Sequence, residues 1–314
     1  MQEYPAMASH PDKNRPELSG LESFLRQRIR GQDRVLAPIV RSVKRGEWGL
    51  THSHRPRGSF LFLGPTGVGK TESVNCLSEY LFGCDPIRMD MSEFQHPDTF
   101  MFFLGAGSDD PGRLGHLLRQ NTKGFLLFDE IEKAYRGIFD TFLQILDAAR
   151  VTDATGRTYD LRDFYIVFTS NIGSERILEA SHLPGAAVED AVEAALYDYM
   201  RPEFIGRFEK KLVFMPLSVQ TQRQVAMDMI GREVARLAKL GHQLVYGSET
   251  VEYVVRKGVH DRLGARPMRG VVEEALQMAI VEQLEAGFNT AKGHLIFDRQ
   301  TDRLKLHCEE KSVA

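Results

Sequence analysis

Short apolar segments alternate with amphipathic segments over the first two thirds of the chain. The runs at 60–63, 125–128 and 164–169 are almost wholly apolar, as expected for strands that are buried on both faces. Between them, residues 71–82 and 138–146 repeat apolar side chains at helical spacing. This alternation predicts an α/β domain in which helices cover both faces of a parallel sheet.

The pattern changes near residue 216, where long amphipathic segments take over. The later segments predict helices at 221–240, 248–257 and 267–286 and short strands at 294–297 and 303–308. We therefore predict a large α/β domain at 21–215 and a small, mainly helical domain with a short β element at 216–314. Residues 1–20 contain three prolines and few large apolar groups, which predicts a flexible N-terminal tail.

The composition excludes several broad classes of protein. With 42% hydrophobic residues among 314, the chain has enough apolar material for a sizeable core, so most of it is not intrinsically disordered. No apolar run approaches the length of about 20 residues that a membrane helix needs, and the N-terminus lacks the apolar core of a secretory signal. Cys76, Cys84 and Cys308 are odd in number and lack metal-ligand spacing, so a disulfide framework is not expected. A cytoplasmic protein without membrane insertion is expected.

One glycine-rich segment follows the first buried strand and precedes a helix. It comprises Gly64, Pro65, Thr66, Gly67, Val68, Gly69, Lys70 and Thr71, which match the P-loop pattern in full. The glycines let consecutive backbone N–H groups point at phosphate oxygens, and the helix adds its positive N-terminal end. Lys70 supplies a positive charge to the β- and γ-phosphates, and the Thr71 hydroxyl suits a Mg²⁺ ion. The segment therefore predicts a site that binds a nucleoside triphosphate with magnesium.

A second buried strand delivers two adjacent carboxylates, Asp129 and Glu130, to its carboxyl end. Doubly wound sheets bind ligands at that edge. We predict that Asp129 holds Mg²⁺ and that Glu130 orients the attacking water. The alternative is that the two acids cap the helix that follows. Asn171 follows the third buried strand, and we expect it beside the γ-phosphate if that strand lies between the other two; otherwise it is a turn residue.

The segment 41–57 is basic, with Arg41, Lys44, Arg45, Arg55 and Arg57 against a single acid. The simplest interpretation is a solvated surface loop, and contact with phosphate or an acidic partner is the alternative. The formal net charge of the whole chain is −3, which disfavours a nucleic-acid-binding protein.

Several motifs together resemble a known family, the Clp-type AAA+ ATPases, and in particular the C-terminal ATPase module of the ClpB disaggregases. The matching segments are Gly31-Gln32, 58–71 (GSFLFLGPTGVGKT), 89–94 (MDMSEF), 128–134 (FDEIEKA), 169–171 (TSN), 201–205 (RPEFI) and 264–267 (GARP). The matching segments occur in the same order as in the family, and the resemblance extends from Gly31 to about Leu306. It implies an AAA+ fold and an ATPase that turns over Mg-ATP.

The resemblance also implies roles for individual residues. Asn171 corresponds to sensor one, and Arg207 to the arginine finger that reaches the γ-phosphate of a neighbouring subunit. Arg201 is the alternative finger, and an ion pair of Arg207 with Glu203 or Glu209 is the alternative to a finger. Arg266 corresponds to sensor two, which couples the nucleotide to the angle between the domains. Ile29 and Arg30 fall where the family packs the adenine, although the family usually has an aliphatic residue at the position of Arg30.

A finger that acts across subunits needs an oligomer, and the family forms hexamers, so a homo-hexamer is expected. The resemblance favours a ring ATPase that remodels a protein partner. Two alternatives stay open: a nucleotide-dependent switch or scaffold, and an accessory ATPase on nucleic acid.

The chain departs from the family in the loop that grips substrate polypeptide. The corresponding segment, 104–115, is shorter, contains no aromatic residue and carries Asp109 and Asp110. We also expect a standalone single module. Both features argue against threading of polypeptides and leave the prediction of ATP hydrolysis unchanged.

Overall fold

The computed structural model describes residues 17–180, 185–260, 263–288 and 291–307. Most of the predicted tail and Cys308 therefore lie outside the described residues. Within the described part, the hydroxyl of Tyr80 donates to the backbone oxygen of Glu17 at 2.6 Å, so the segment before the first helix contacts the large domain.

A parallel sheet forms the centre of the large domain. Its strands are β1 (Gly58–Leu63), β2 (Ile87–Asp90), β3 (Gly124–Asp129), β6 (Phe164–Ser170) and β7 (Lys210–Val213), and a separate hairpin is formed by β4 (Arg150–Thr152) and β5 (Thr158–Asp160). The order across the five described strands is β2-β3-β6-β1-β7, and all of their pairings are parallel. Strand β6 therefore lies between β1 and β3, as the prediction for Asn171 required. The predicted fold class, a parallel sheet between helices, is confirmed.

Helices cover both faces of this sheet. In chain order they are α1 (Leu21–Arg28), α2 (Asp33–Glu47), α3 (Lys70–Phe82), α4 (Phe100–Leu104), α5 (Gly112–Gln120), α6 (Phe139–Ala148), α7 (Ser174–Glu179), α8 (Gly185–Tyr199) and α9 (Pro202–Ile205). Alternate residues of the wholly buried β1 enter different cores. Phe60 and Phe62 pack with α1, α2 and α3, whereas Leu61 and Leu63 pack with α6 and α8 on the opposite face. Burial on both faces explains the unbroken apolar runs of the sequence.

The small domain has its own apolar core. Its elements are α10 (Val219–Ala238), β8 (Gln243–Tyr246), α11 (Ser248–Gly258), α12 (Met268–Glu285), β9 (Lys292–Asp298) and β10 (Arg303–His307). The predicted terminal hairpin is present as the antiparallel pair β9–β10. Strand β8, which was not predicted from the sequence, pairs in parallel with β9 and extends the hairpin to a three-stranded sheet.

Several charges of the basic segment 41–57 are neutralised within the chain. Arg45 pairs with Glu209 at 2.6 Å, and Arg57 pairs with Glu47 and Asp163, each at 2.8 Å. These pairs lower the net positive charge that the segment presents to solvent. Within the described residues, no helix is both long and apolar enough to cross a membrane.

Candidate nucleotide-binding site

A cavity of about 330 Å³ lies where the carboxyl ends of β1, β3 and β6 face the small domain. The predicted site residues that line it are Ile29, Arg30, Thr66, Gly67, Val68, Gly69, Lys70, Thr71, Asp129, Glu130, Asn171 and Arg266. Gly64 and Pro65 form the start of the same loop and contribute carbonyl oxygens to it. Arg207 does not line the cavity. The fold thus gathers in one place side chains that are up to 237 positions apart in sequence, from Ile29 to Arg266.

The P-loop needs glycine for its backbone and for its neighbours. Gly64, Gly67 and Gly69 have positive φ angles of 142°, 74° and 106°, which residues with a side chain rarely adopt. A Cβ atom on Gly67 would lie 2.3 Å from the backbone oxygen of Leu263, in the turn that precedes α12. The small domain therefore rests directly on the phosphate loop, and the loop can curl there only with glycine.

Lys70 begins α3 and is almost completely buried. Its Nζ donates to the carbonyl oxygens of Gly64 at 2.5 Å and Pro65 at 2.8 Å, and to Asn171 Oδ1 at 2.9 Å. Burial lowers the pKa of Lys70 to about 8, although the carboxylates of Glu132, Asp129 and Glu130 act in the opposite direction. A phosphate group beside this ammonium favours the charged form further, because the opposite charge replaces lost hydration.

Asp129 ends β3 and is buried beside hydroxyl and guanidinium groups. Its Oδ1 lies 3.5 Å from Thr71 Oγ1 and accepts a hydrogen bond from Thr169, and its Oδ2 pairs with Arg88 at 2.7 Å. Hard divalent cations prefer oxygen ligands of this kind, so Asp129 and Thr71 fit a Mg²⁺ site. Arg88 was not predicted from the sequence, and Thr169 was named there only as part of the matching segment 169–171. Arg88 could have been suspected, because it is a charged residue in a strand whose end meets this edge of the sheet.

Glu130 follows Asp129 in an unusual backbone conformation, with φ of 59°. Its backbone N–H donates to Thr169 Oγ1 at 3.1 Å, which helps to hold this left-handed turn. The pKa of Glu130 is raised by burial and by the neighbouring carboxylates, first Glu132, and the positive charge of Arg266 opposes that rise. No side-chain cap is formed at the short 3-10 turn that follows, Ile131–Lys133. The capping alternative for this carboxylate is therefore wrong, and Glu130 is available to the cavity.

Asn171 lies at the end of β6, between the two phosphate-site strands. Its Oδ1 accepts from Lys70 and lies 3.4 Å from Thr66 Oγ1. Its Nδ2 and its backbone N–H both donate to Glu132 Oε1, each at 3.1 Å. The side chain thus connects the P-loop with the segment that follows β3. Glu132 entered the sequence analysis only as part of a motif, because sequence spacing cannot show that it faces Asn171.

The other wall of the cavity joins the two domains. Arg266 lines it from the turn before α12, and Ile29 and Arg30 line it from the segment between α1 and α2. The Arg30 guanidinium pairs with Asp228 of α10, with Nε to Oδ2 at 2.7 Å and Nη2 to Oδ1 at 3.2 Å. This pair crosses the domain interface, so the polar end of Arg30 is held by the small domain while the residue lines the cavity.

Gln32 also joins the P-loop to the junction of the two domains. Its Nε2 donates to the backbone oxygens of Val68 at 3.1 Å and Met215 at 2.8 Å, and its Oε1 accepts from the Met215 backbone N–H at 3.1 Å. A buried glutamine that satisfies three backbone contacts fixes the spacing between the loop and the junction. From the sequence, Gln32 was named only as part of the matching segment Gly31-Gln32.

Arg207 follows α9 on a part of the surface outside the cavity. Its Nε pairs with Asp147 Oδ1 at 3.2 Å, and its side chain is 42% exposed. Glu203 pairs with Arg201, and Glu209 pairs with Arg45. The ion pair considered from the sequence as an alternative is therefore present for Arg207, but neither of the two glutamates considered there is its partner. The geometry leaves the Arg207 guanidinium near the surface.

The shortened loop forms a closed turn between α4 and α5. Gly105 and Gly112 approach so closely that a Cβ on Gly112 would lie 2.2 Å from Gly105 N, and Asp110 Oδ1 accepts from Gly112 N at 2.9 Å. On α4, immediately before the turn, Met101 and Phe102 are 52% and 66% exposed. The exposed aromatic ring of Phe102 therefore precedes the loop instead of lying within it.

Comparisons with known proteins agree with this architecture. Residues 55–211 match the family described as AAA domain (Cdc48 subfamily), and residues 217–297 match the C-terminal, D2-small domain of ClpB protein. The chaperone protein ClpB of Meiothermus ruber is 36% identical over 290 residues, covering 90% of this chain and 34% of that protein. The chaperone protein ClpB of Lactiplantibacillus plantarum is 34% identical over 307 residues, covering 91% and 35%.

A probable chaperone protein ClpB 1 of Chlorobaculum tepidum is 36% identical over 290 residues, covering 87% of this chain and 66% of that protein. The chain thus spans about a third of the length of the first two relatives. Both halves of the predicted architecture are matched, in the predicted order. The chain belongs to the AAA family, Cdc48 subfamily, and carries a small domain of the ClpB D2 type.

Proposed function

We propose that this chain binds Mg-ATP in the cavity between its two domains and hydrolyses it to ADP and phosphate. The observation that carries the proposal is the convergence of Lys70, Asp129, Glu130 and Asn171 from three adjacent strand ends. Each supplies a group that phosphoryl transfer needs: a cation, a metal ligand, a carboxylate near water and a polar amide.

The binding part of the mechanism rests on the P-loop. Its backbone N–H groups and the N-terminal end of α3 hold the phosphates, and the Lys70 ammonium moves from loop carbonyls to phosphate oxygens. Thr71 and Asp129 are the residues that would hold magnesium, which neutralises phosphate charge when it is bound. Arg88 occupies Oδ2 of Asp129 at 2.7 Å, and Oδ1, which also accepts a hydrogen bond from Thr169, lies 3.5 Å from Thr71 Oγ1.

The hydrolytic part rests on Glu130. Its carboxylate orients a water whose oxygen attacks the γ-phosphorus, while the bond to the oxygen bridging the β- and γ-phosphates breaks. The water proton leaves toward the Glu130 carboxylate. The raised pKa of Glu130 suits this role, because a more basic carboxylate accepts a proton more readily.

The arginines complete the charge balance around the transferred group. Arg266 lines the site from the small domain of the same chain, and we propose that its contact with the nucleotide changes the angle between the two domains. Arg207 is proposed to act on the site of a neighbouring copy, since it is half-exposed and outside its own cavity. A homo-oligomer, with a hexamer as the form expected from the resemblance, follows from this assignment.

We further propose that turnover drives the remodelling of a protein partner, since the relatives of this chain are named chaperone proteins. A nucleotide-dependent switch without threading is the second candidate. It is favoured by the closed turn at 105–112, which contains no aromatic side chain for gripping a polypeptide. A cytoplasmic location stays a prediction.

The experiment that separates the steps compares wild type with Lys70→Ala and Glu130→Gln. We expect wild type to release phosphate from ATP with magnesium, Lys70→Ala to lose ATP binding, and Glu130→Gln to bind ATP while its turnover falls about 100-fold or more. The same Glu130→Gln sample with ATP, viewed by electron microscopy, tests the ring. Unfolding of a tagged fluorescent protein separates threading from the switch: normal turnover without unfolding favours the switch.

A further inference from the structure

Glu132 is placed to control the side chain of Asn171. It lies in the short turn after Glu130, and one oxygen of its carboxylate, Oε1, accepts two hydrogen bonds of 3.1 Å from Asn171, one from the backbone N–H and one from Nδ2. The other oxygen, Oε2, is buried and has no hydrogen-bond partner within the described residues. An unpaired buried oxygen costs stability, so packing alone does not account for a carboxylate at this position.

The neighbours of Asn171 determine which way its amide faces. An ionised carboxylate only accepts hydrogen bonds, and a lysine ammonium only donates them. Glu132 on one side and Lys70 on the other therefore require that Nδ2 faces Glu132 and that Oδ1 faces the P-loop. The distances agree, with Oδ1 at 2.9 Å from Lys70 Nζ and 3.4 Å from Thr66 Oγ1.

The amide oxygen that faces the P-loop has a chemical consequence. A carbonyl oxygen accepts a hydrogen bond from water but repels the oxygens of a phosphate. With Nδ2 engaged by Glu132, Asn171 can orient the attacking water by accepting a hydrogen bond from it and cannot donate to the γ-phosphate. We propose that Glu132 is a positioning residue that fixes Asn171 in this acceptor orientation. The proposal rests on the ATP hydrolysis proposed above and adds to it a residue and a direction of hydrogen bonding.

The test exchanges donor and acceptor across the pair. Glu132→Gln removes the charge of the acceptor, and Asn171→Asp replaces the donating amide with a second carboxylate that repels Glu132. In the double variant, the introduced glutamine amide can donate to the introduced carboxylate, so the acceptor facing the P-loop is restored. We expect each single variant to lower kcat by about 10-fold or more with KM for ATP within about threefold, and the double variant to exceed both.

Glu175→Gln is the matched control, because Glu175 is exposed on α7, four residues beyond Asn171. The same change of charge there should leave kcat at the wild-type value. Losses that multiply in the double variant would show that Glu132 acts independently of Asn171 and would overturn the proposal. A Glu132→Gln variant with wild-type kcat would overturn it as well.

A crystal structure of Glu132→Ala separates this proposal from the proposed ATPase activity. We expect the Asn171 amide to turn or shift, so that Oδ1 no longer lies within hydrogen-bonding distance of Lys70 Nζ. If that distance remains 2.9 Å, Glu132 does not position Asn171, whether or not the protein hydrolyses ATP. If wild type neither binds nor hydrolyses ATP while the amide shifts in Glu132→Ala, the positioning role stands and the proposed function fails.

Discussion

Gly264 is the point at which the small domain presses on the P-loop. It lies in the turn before α12, has a φ of 56°, and a Cβ placed on it would lie 2.4 Å from the Thr66 backbone oxygen. Ordinary contacts of a Cβ begin at 3.4 Å. Gly264→Ala therefore has to displace the phosphate loop or the small domain by about 1 Å, which is the scale of misplacement that can lower a rate about 100-fold.

Gly83→Ala provides the matched control for this substitution. Gly83 ends α3 with a φ of 67°, and nothing lies within 4 Å of a Cβ placed there. Both variants carry the strain of alanine in the left-handed region, about 1–2 kcal/mol, but only Gly264→Ala adds the clash with the P-loop. The difference between the two isolates the contact between the domains.

The assay combines chemical denaturation with steady-state ATP turnover. We expect Gly83→Ala to lose about 1–2 kcal/mol of stability and keep its turnover, and Gly264→Ala to lose about 100-fold in turnover with weaker ATP binding. If the two variants have the same turnover, ATP hydrolysis does not depend on the close contact between Gly264 and the Thr66 backbone oxygen, and the reasoning about the interdomain cavity is refuted.

Three further predictions concern the charges around the site. Burial and nearby carboxylates raise the pKa of Glu130, and Arg266 opposes that rise, so turnover should fall as the pH drops through the raised pKa. Arg266→Met removes the opposing charge and should move this fall in turnover to higher pH. A fall that stays at the same pH would contradict the role assigned to Glu130. Arg207→Ala should lose turnover but keep ATP affinity, and mixing it with Lys70→Ala should restore part of the activity; mixtures as inactive as their components would argue against action across subunits. Arg30→Met and Asp228→Asn should show a coupling free energy of about 0.5–1 kcal/mol at low salt in denaturation, since both partners are one-third exposed, and coupling that persists in high salt would argue against a simple ion pair.

The sequence predicted the parts of the site that depend on strand order and local motif. The apolar runs of β1, β3 and β6 predicted the strands of the sheet. Lys70, Asp129, Glu130 and Asn171 lie at or shortly after the ends of these strands, and parallel strands end at one edge, so the sequence predicted that these residues lie together. Short strands were harder to predict. β8 has only four residues and is a strand because it pairs with β9, some 50 positions later. No local pattern in the sequence shows such a pairing.

Contacts between distant segments were beyond the sequence analysis for the same reason. The pair of Arg30 and Asp228 joins residues 198 positions apart, and the partner of Arg207 proved to be Asp147 instead of a neighbouring glutamate. Each depends on how the two domains or two helices pack. The resemblance supplied roles for residues within motifs, but not the contacts that hold them in place.

The most direct test of the account measures binding of ATP with magnesium by calorimetry, together with release of phosphate, for wild type and Lys70→Ala. The account predicts that wild type binds and hydrolyses ATP and that Lys70→Ala does neither, because the buried ammonium is the cation that faces the phosphates. Wild-type protein that neither binds nor cleaves ATP, or a Lys70→Ala variant with wild-type affinity and turnover, would contradict the account.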